Sequence, residues 1–182
     1  MIAVVDVGNA CAVLRAMPDA ILATDRILLD DATRIVVPGM SRFDVTIDAL
    51  EERDMCGAIS AAARRGVPIL GICSGAHVLC RVGYEGGAAR GLELLDAEVV
   101  SLRGLCGVRT RIGWVRVPRL AAAPLWFAHS YAMTGCPDVV AGSGAADAAR
   151  TGTTTGVQFH PELSGRVGYA LLQRFAETGA MW

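Results

Sequence analysis

The sequence predicts an α/β fold: an open, mostly parallel sheet with helices on both faces and an antiparallel extension. Two observations lead there. Short β-rich runs alternate with helix-spaced segments along the chain, the pattern of parallel strands joined by covering helices. Apolar residues make up 53% of the chain but aromatic ones only 5%, and 21 glycines are present, which suits tightly packed layers with close backbone approach. At 182 residues one domain spanning the whole chain can bury a substantial core. No repeat and no long linker divides it.

Taken in order, residues 2–6 read as a first strand and 10–17 as a short helix stopped by Pro18. Residues 20–23 and 34–37 are strands, the second ending at Pro38-Gly39. Residues 43–50 and 55–65 carry helical spacing, with Gly66 as a C-cap. A buried strand is expected over 68–72 and a helix over 74–82. The β-branched, glycine-broken stretch 92–117 reads as the antiparallel extension of the sheet. Residues 126–130, 139–141 and 153–159 are further strands, 141–151 a hairpin or loop, and 165–177 the last helix.

Charge and composition exclude several functions. Net charge is −1, too weak a field to attract nucleic acid or a membrane surface. All 17 basic residues are arginine, which removes a lysine nucleophile, a Schiff base and a P-loop lysine. No apolar run reaches the roughly 18 residues of a membrane helix. The start lacks a basic region and a cleavage site, so a cytoplasmic location with reduced thiols is expected. The six cysteines are scattered without a CxxC pair, which argues against disulfides or a zinc ribbon. A metal held by Cys73, His77 and Cys80 would use up a candidate nucleophile and lack a clear fourth ligand. Neither metal nor cofactor is expected.

Gly71-Ile72-Cys73-Ser74-Gly75 follows an apolar strand and opens a helical segment. This is the G-x-nucleophile-x-G pattern of a nucleophile elbow, with cysteine as nucleophile. Small flanking residues are needed because the turn is tight and lies against neighbouring strands. The cysteine would project from the carboxyl end of its strand, where open α/β sheets place their sites. A helix N-terminus beneath the sulfur would favour the thiolate, and the Ser74 amide would point toward a developing oxyanion. A structural cysteine between packing glycines is the competing reading of the pentapeptide.

A cysteine nucleophile needs a base, and the base an orienting group. Of His77, His129 and His160, the last sits in Val157-Gln158-Phe159-His160-Pro161-Glu162. A β-rich run places His160 at a strand end, on the rim of Cys73 if the strands are parallel. Pro161 would hold the next step extended, letting Glu162 turn back to accept from the imidazole and stabilise its charged form.

These motifs, in this order, resemble the class I glutamine amidotransferases over nearly the whole chain. Within that class the pattern is most like the glutaminase subunits of imidazole glycerol phosphate synthases. The matching segments include Val37-Pro38-Gly39, the elbow, Glu85-Gly86-Gly87, Ile112-Gly113-Trp114, His129-Ser130-Tyr131 and the terminal Val157–His160-Pro161-Glu162 run. The resemblance implies a flavodoxin-like fold and hydrolysis of glutamine to glutamate and ammonia through a thioester on Cys73. It implies His160 as acid and base, Glu162 as its orienter, and Gly39 with Ser74 as oxyanion hole. Glu85, His129, Ser130 and Tyr131 match substrate-binding positions. It also implies a heterodimer with a (β/α)₈ synthase subunit that receives the ammonia.

The chain departs from the family pattern in four places. His77 stands where a glutamine is usual, one helical turn after the nucleophile and near the substrate. Met40-Ser41 replaces the end of a PGVG turn, the opening loop after Gly8 is shorter, and Val115 follows Gly113-Trp114 in place of asparagine. A different synthase as ammonia acceptor, such as a sugar-aminating enzyme, or a weakly catalytic partner-binding subunit, are the alternative readings.

Overall fold

The computed structural model describes residues 1–141 and 145–182. The first half alternates strand and helix as expected: β1 (Ile2–Val5), α1 (Ala10–Ala16), β2 (Ala20–Ala23), a one-turn α2 (Ile27–Asp30) and β3 (Arg34–Val37). Then come α3 (Phe43–Glu51), α4 (Met55–Arg64), β4 (Ile69–Ile72) and α5 (Ser74–Val78). Two short strands, β5 (Val82–Gly83) and β6 (Ala89–Arg90), precede β7 (Glu98–Ser101), α6 (Leu102–Cys106) and β8 (Arg111–Val115). The chain closes with β9 (Leu125–His129), β10 (Tyr131–Thr134), β11 (Val139–Ala141), β12 (Ala148–Thr151), β13 (Thr154–Val157) and α7 (Gly165–Thr178).

The main sheet has strand order β11-β12-β13-β4-β3-β1-β2. From β2 to β13 its neighbours run parallel, whereas β13, β12 and β11 pair antiparallel. Strand period two divides the core between two layers. Ala3 and Val5 of β1, with Ile35 and Val37 of β3, pack beneath α3 and α4 through Phe43, Leu50 and Ile59. Val4, Val36, Leu70 and Ile72 face the other way, onto Val13 of α1 and Leu172 and Phe175 of α7. Four phenylalanines are fully buried in these layers, each worth about 1.5–3 kcal/mol relative to exposure.

The antiparallel extension exists, but stretch 92–117 does not build it; β11 and β12 do. Within the reading of 141–151 as hairpin or loop, residues 142–144 lie outside the described residues, while 148–151 form β12. Stretch 92–117 instead enters two smaller units: a four-stranded sheet of order β10-β7-β5-β6 and the β8-β9 ribbon. The cause is hydrogen bonding to the end of α5. The amides of Leu92, Glu93 and Leu94 donate to the carbonyls of Val78, Cys80 and Leu79 at 2.8–3.1 Å. Those carbonyls would otherwise be orphaned at a helix end. The same bonds explain why the expected 74–82 helix stops at Val78. Ser101 then accepts from the Gly104 amide at 3.2 Å and starts α6 as its N-cap. Among the described residues no helix is long and apolar enough to cross a membrane.

Candidate active site

Three adjacent strands of the main sheet, β3, β4 and β13, run parallel, so their carboxyl ends share one rim. Val157 is in register with Ile72, and the Cys73 amide donates to the Val157 carbonyl at 2.8 Å. Parallel pairing thus brings residues 73 and 160 to the same edge.

Cys73 has φ +52° and ψ −115°, a backbone state that costs a non-glycine residue about 1–3 kcal/mol. Its carbonyl accepts from the Ala76 and His77 amides at 3.0 and 3.1 Å, so the turn passes directly into α5. The flanking glycines are required by close approach. A Cβ on Gly75 would lie 2.0 Å from the Val37 carbonyl oxygen, and one on Gly71 would lie 2.5 Å from the Ala76 Cα. A Cβ on Gly39 would lie 2.3 Å from the Ile72 oxygen and 2.5 Å from the Ser74 nitrogen. The turn after β3 therefore presses directly on the elbow. Its Ser41 amide also donates to the Ser74 hydroxyl at 3.3 Å, so the Met40-Ser41 departure leaves the two loops tied.

His160 is fixed through its backbone. Its amide donates to the Trp126 carbonyl at 2.8 Å, and its carbonyl accepts from the Ser164 hydroxyl at 2.6 Å. The Ser164 hydroxyl in turn accepts from the Trp126 amide at 2.9 Å. Nδ1 donates to Glu162 Oε1 at 2.8 Å, with both side chains 1% exposed. That bond fixes the tautomer and leaves Nε2 for the sulfur. The expected route differs in one respect: Pro161 does not hold an extended step but begins a 3₁₀ turn, Pro161–Leu163, that swings Glu162 back. Burial alone would lower the His160 pKa. The Cys73 sulfur and the Glu162 carboxylate outweigh burial and raise it to about 10.

All three histidines of the chain border one cavity of about 490 Å³, together with Cys73. Only His160 is held charged. His77 is pushed down to about 4, first by burial, against a hydrogen bond with Gln158. His129 is pushed to about 4 by burial, against its bond to the Tyr131 carbonyl at 2.8 Å.

A second part of the lining carries Glu85, Ser130 and Tyr131. Glu85 lies in the β5–β6 connection, where its Oε2 accepts from the Phe43 amide, the first of α3, at 3.0 Å. Burial raises its pKa, against that bond and the nearby Arg42. Ser130 and Tyr131 stand where β9 passes into β10, and the Ser130 carbonyl accepts from the Leu102 amide at 2.9 Å. Of the residues singled out in the sequence, Cys73, Ser74, His77, Glu85, His129, Ser130, Tyr131 and His160 line this cavity. Gly39 and Glu162 stand behind its wall. Of the residues weighed as metal ligands, His77 turns to Gln158 and the Cys80 thiol donates to the Ala76 carbonyl at 3.4 Å, and no metal-ligating cluster of three such side chains occurs among the described residues.

Sequence reasoning passed over Gln158, which is fully buried and reaches both His77 and Cys73. Its signal was a long polar side chain between Val157 and Phe159 in a buried run. Ser164, which braces the His160 backbone, carried no sequence signal.

The model of the family described as glutamine amidotransferase class-I matches residues 4–178. The chain belongs to the class I glutamine amidotransferases. Among its relatives is the imidazole glycerol phosphate synthase subunit HisH of Lactiplantibacillus plantarum, 34% identical over 94% of this chain and 92% of that protein. The HisH subunit of Moorella thermoacetica is 35% identical over 80% of this chain and 77% of its own length. A crystal structure of a glutamine amidotransferase shares the fold, with a TM-score of 0.79 at 18% identity over 98% of each chain.

Proposed function

We propose that this chain is the glutaminase subunit of an imidazole glycerol phosphate synthase, a lyase of histidine biosynthesis. It acts in the cytoplasm as one half of a heterodimer with a (β/α)₈ subunit, and residues 1–182 form a single glutaminase domain. Cys73 attacks the side-chain carbonyl of glutamine, and the carbonyl electrons move onto oxygen, toward the Gly39 backbone and the Ser74 amide. His160 gives its proton to the departing nitrogen, and ammonia leaves a γ-glutamyl thioester. The same imidazole, now neutral, takes a proton from water, whose hydroxide cleaves the thioester to glutamate; Cys73 leaves as thiolate beside the recharged imidazolium. Glu162 holds the ring and stabilises its cation. Glu85 meets the substrate ammonium, and Ser130 and Tyr131 hold the head group, with His129 beside them. Ammonia passes to the partner without entering bulk water.

The observation that carries this reading is the contiguous Cys73, His160, Glu162 series at one sheet rim, in a chain about a third identical to HisH subunits. The test assembles the full chain with a candidate cyclase subunit and compares glutamine with free ammonia as nitrogen source. Cys73→Ala should lower glutamine-dependent synthesis by about 10³-fold or more while ammonia-supported synthesis continues. Retained glutamine use would remove Cys73 from the mechanism.

A further inference from the structure

The buried contact between His77 and Gln158 has a bearing on the nucleophile. His77 Nε2 lies 2.9 Å from Gln158 Oε1, and Gln158 Nε2 lies 3.8 Å from the Cys73 sulfur. His77 is 2% exposed and Gln158 fully buried. The Gln158 backbone is pinned as well, its amide donating to the Asp147 carbonyl at 2.9 Å.

With Cys73 as the thiolate nucleophile, only one proton arrangement makes both contacts attractive. The carboxamide oxygen accepts from an Nε2 proton on His77, and the carboxamide N–H₂ then faces sulfur. His77 Nδ1 has no partner among the described residues. With the proton on Nε2, that atom keeps a bare lone pair and not an orphaned N–H, the rarer and costlier defect in buried structure. A flipped carboxamide would set oxygen against a thiolate.

We propose that Gln158, oriented by His77, is a hydrogen-bond donor to the Cys73 sulfur, and that His77 is therefore a positioning residue for the nucleophile and not a contact for glutamine. This rests on the assignment of Cys73 as nucleophile. The other titratable or charged groups of the cavity are His160, backed by Glu162, from the turn after β13, His129 from β9, Tyr131 from β10, Glu85 from the β5–β6 connection and Arg42 from the turn before α3. His160 supplies charge and Gln158 a neutral donor, so their losses differ: one removes the proton carrier, the other weakens only the thiolate.

The test follows alkylation of Cys73 by iodoacetamide in the full chain against pH, read by peptide mass spectrometry, beside steady-state glutaminase kinetics of the assembled complex. His77→Leu and Gln158→Met should each move the alkylation midpoint up by about one pH unit, a tenfold loss of thiolate at fixed pH. They should lower kcat with KM for glutamine unchanged. His77→Gln, which retains a donor for the Gln158 oxygen, should keep the parental midpoint. Unmoved midpoints in both variants would overturn the proposal. So would a raised KM with an unmoved midpoint, which would return His77 to substrate binding. Should circular dichroism show His77→Leu unfolded, Gln158→Met decides alone. Cys73→Ala separates the two claims: glutamine hydrolysis surviving in it sinks the nucleophile assignment and this proposal together. Its loss alongside unmoved midpoints sinks the proposal only.

Discussion

The two walls of the cavity are built differently. The wall of Cys73 and His160 stands on β4 and β13, central strands buried along their whole length. Every group there is braced: the elbow by glycine contacts, His160 by three backbone or hydroxyl bonds and a carboxylate. The wall of Glu85, Ser130 and Tyr131 stands on the turn between the two-residue strands β5 and β6 and on the junction where β9 passes into β10. The first wall has one arrangement available because the parallel register dictates it. In the second, Tyr131 belongs to the β10–β7 ladder of the small sheet, and the Glu85 side chain is held by the bond from the Phe43 amide. Chemistry that needs sub-ångström alignment sits on the rigid wall, and head-group recognition on the looser one.

The sharpest way to break the rigid wall is steric. Gly75→Ala places a Cβ 2.0 Å from the Val37 carbonyl oxygen, backbone against backbone, with no flexible atom to yield. We expect little folded protein, measured as soluble yield and a cooperative thermal transition. A stable, active Gly75→Ala would show that the elbow is not clamped by β3. Next comes Glu162→Gln, which keeps the shape but not the charge. On the proposed mechanism it should lower glutamine-dependent kcat by about 10²–10⁴-fold. Its effect on KM should be small, and an unchanged kcat would detach Glu162 from the imidazole's work.

The looser wall should respond in the other parameter. Glu85→Gln removes the carboxylate assigned to the glutamine ammonium and weakens the bond to the Phe43 amide. A hydrogen bond to a charged group is worth about 1.5–3 kcal/mol, so KM for glutamine should rise about ten- to a hundredfold with kcat less affected. A fall in kcat alone would place Glu85 on the wrong wall.

The same division explains what the sequence made legible. Cys73, His160 and the parallel strands beneath them were readable because apolar runs, flanking glycines and register are local signals with few solutions. The fate of stretch 92–117 was not, because its amides pair with the end of α5, a tertiary partner that no period encodes. The 74–82 helix was overextended for the same reason. Gln158 was missed because a buried polar side chain has meaning only once its neighbours, His77 and Cys73, are known. Residues of the looser wall were reachable through family resemblance, since nothing about Ser130 or Glu85 alone points to a head group.

The smallest effect tests the electrostatic side of the comparison, through stability against pH. His160, raised from 6.5 to about 10, contributes stability that is fully present below pH 6.5 and lost as pH rises through 10. His77 and His129 act oppositely. Their pKa values fall from 6.5 to about 4, so below 6.5 the unfolded chain takes up two protons that the native cavity refuses. Stability should therefore peak near neutral pH, falling gently toward alkali and more steeply between pH 6.5 and 4. Cys56 and Cys80, buried thiols raised to about 11 and above, add to the alkaline slope once unfolded thiols ionise near 9. Denaturant midpoints measured across this range read the slopes directly. Replacing His129 by asparagine should roughly halve the acid slope between pH 6.5 and 5, where carboxylates scarcely titrate. An acid slope unchanged in that variant would mean that the His129 ring is already protonated in the native cavity, and that His160 is not the only histidine there to carry charge.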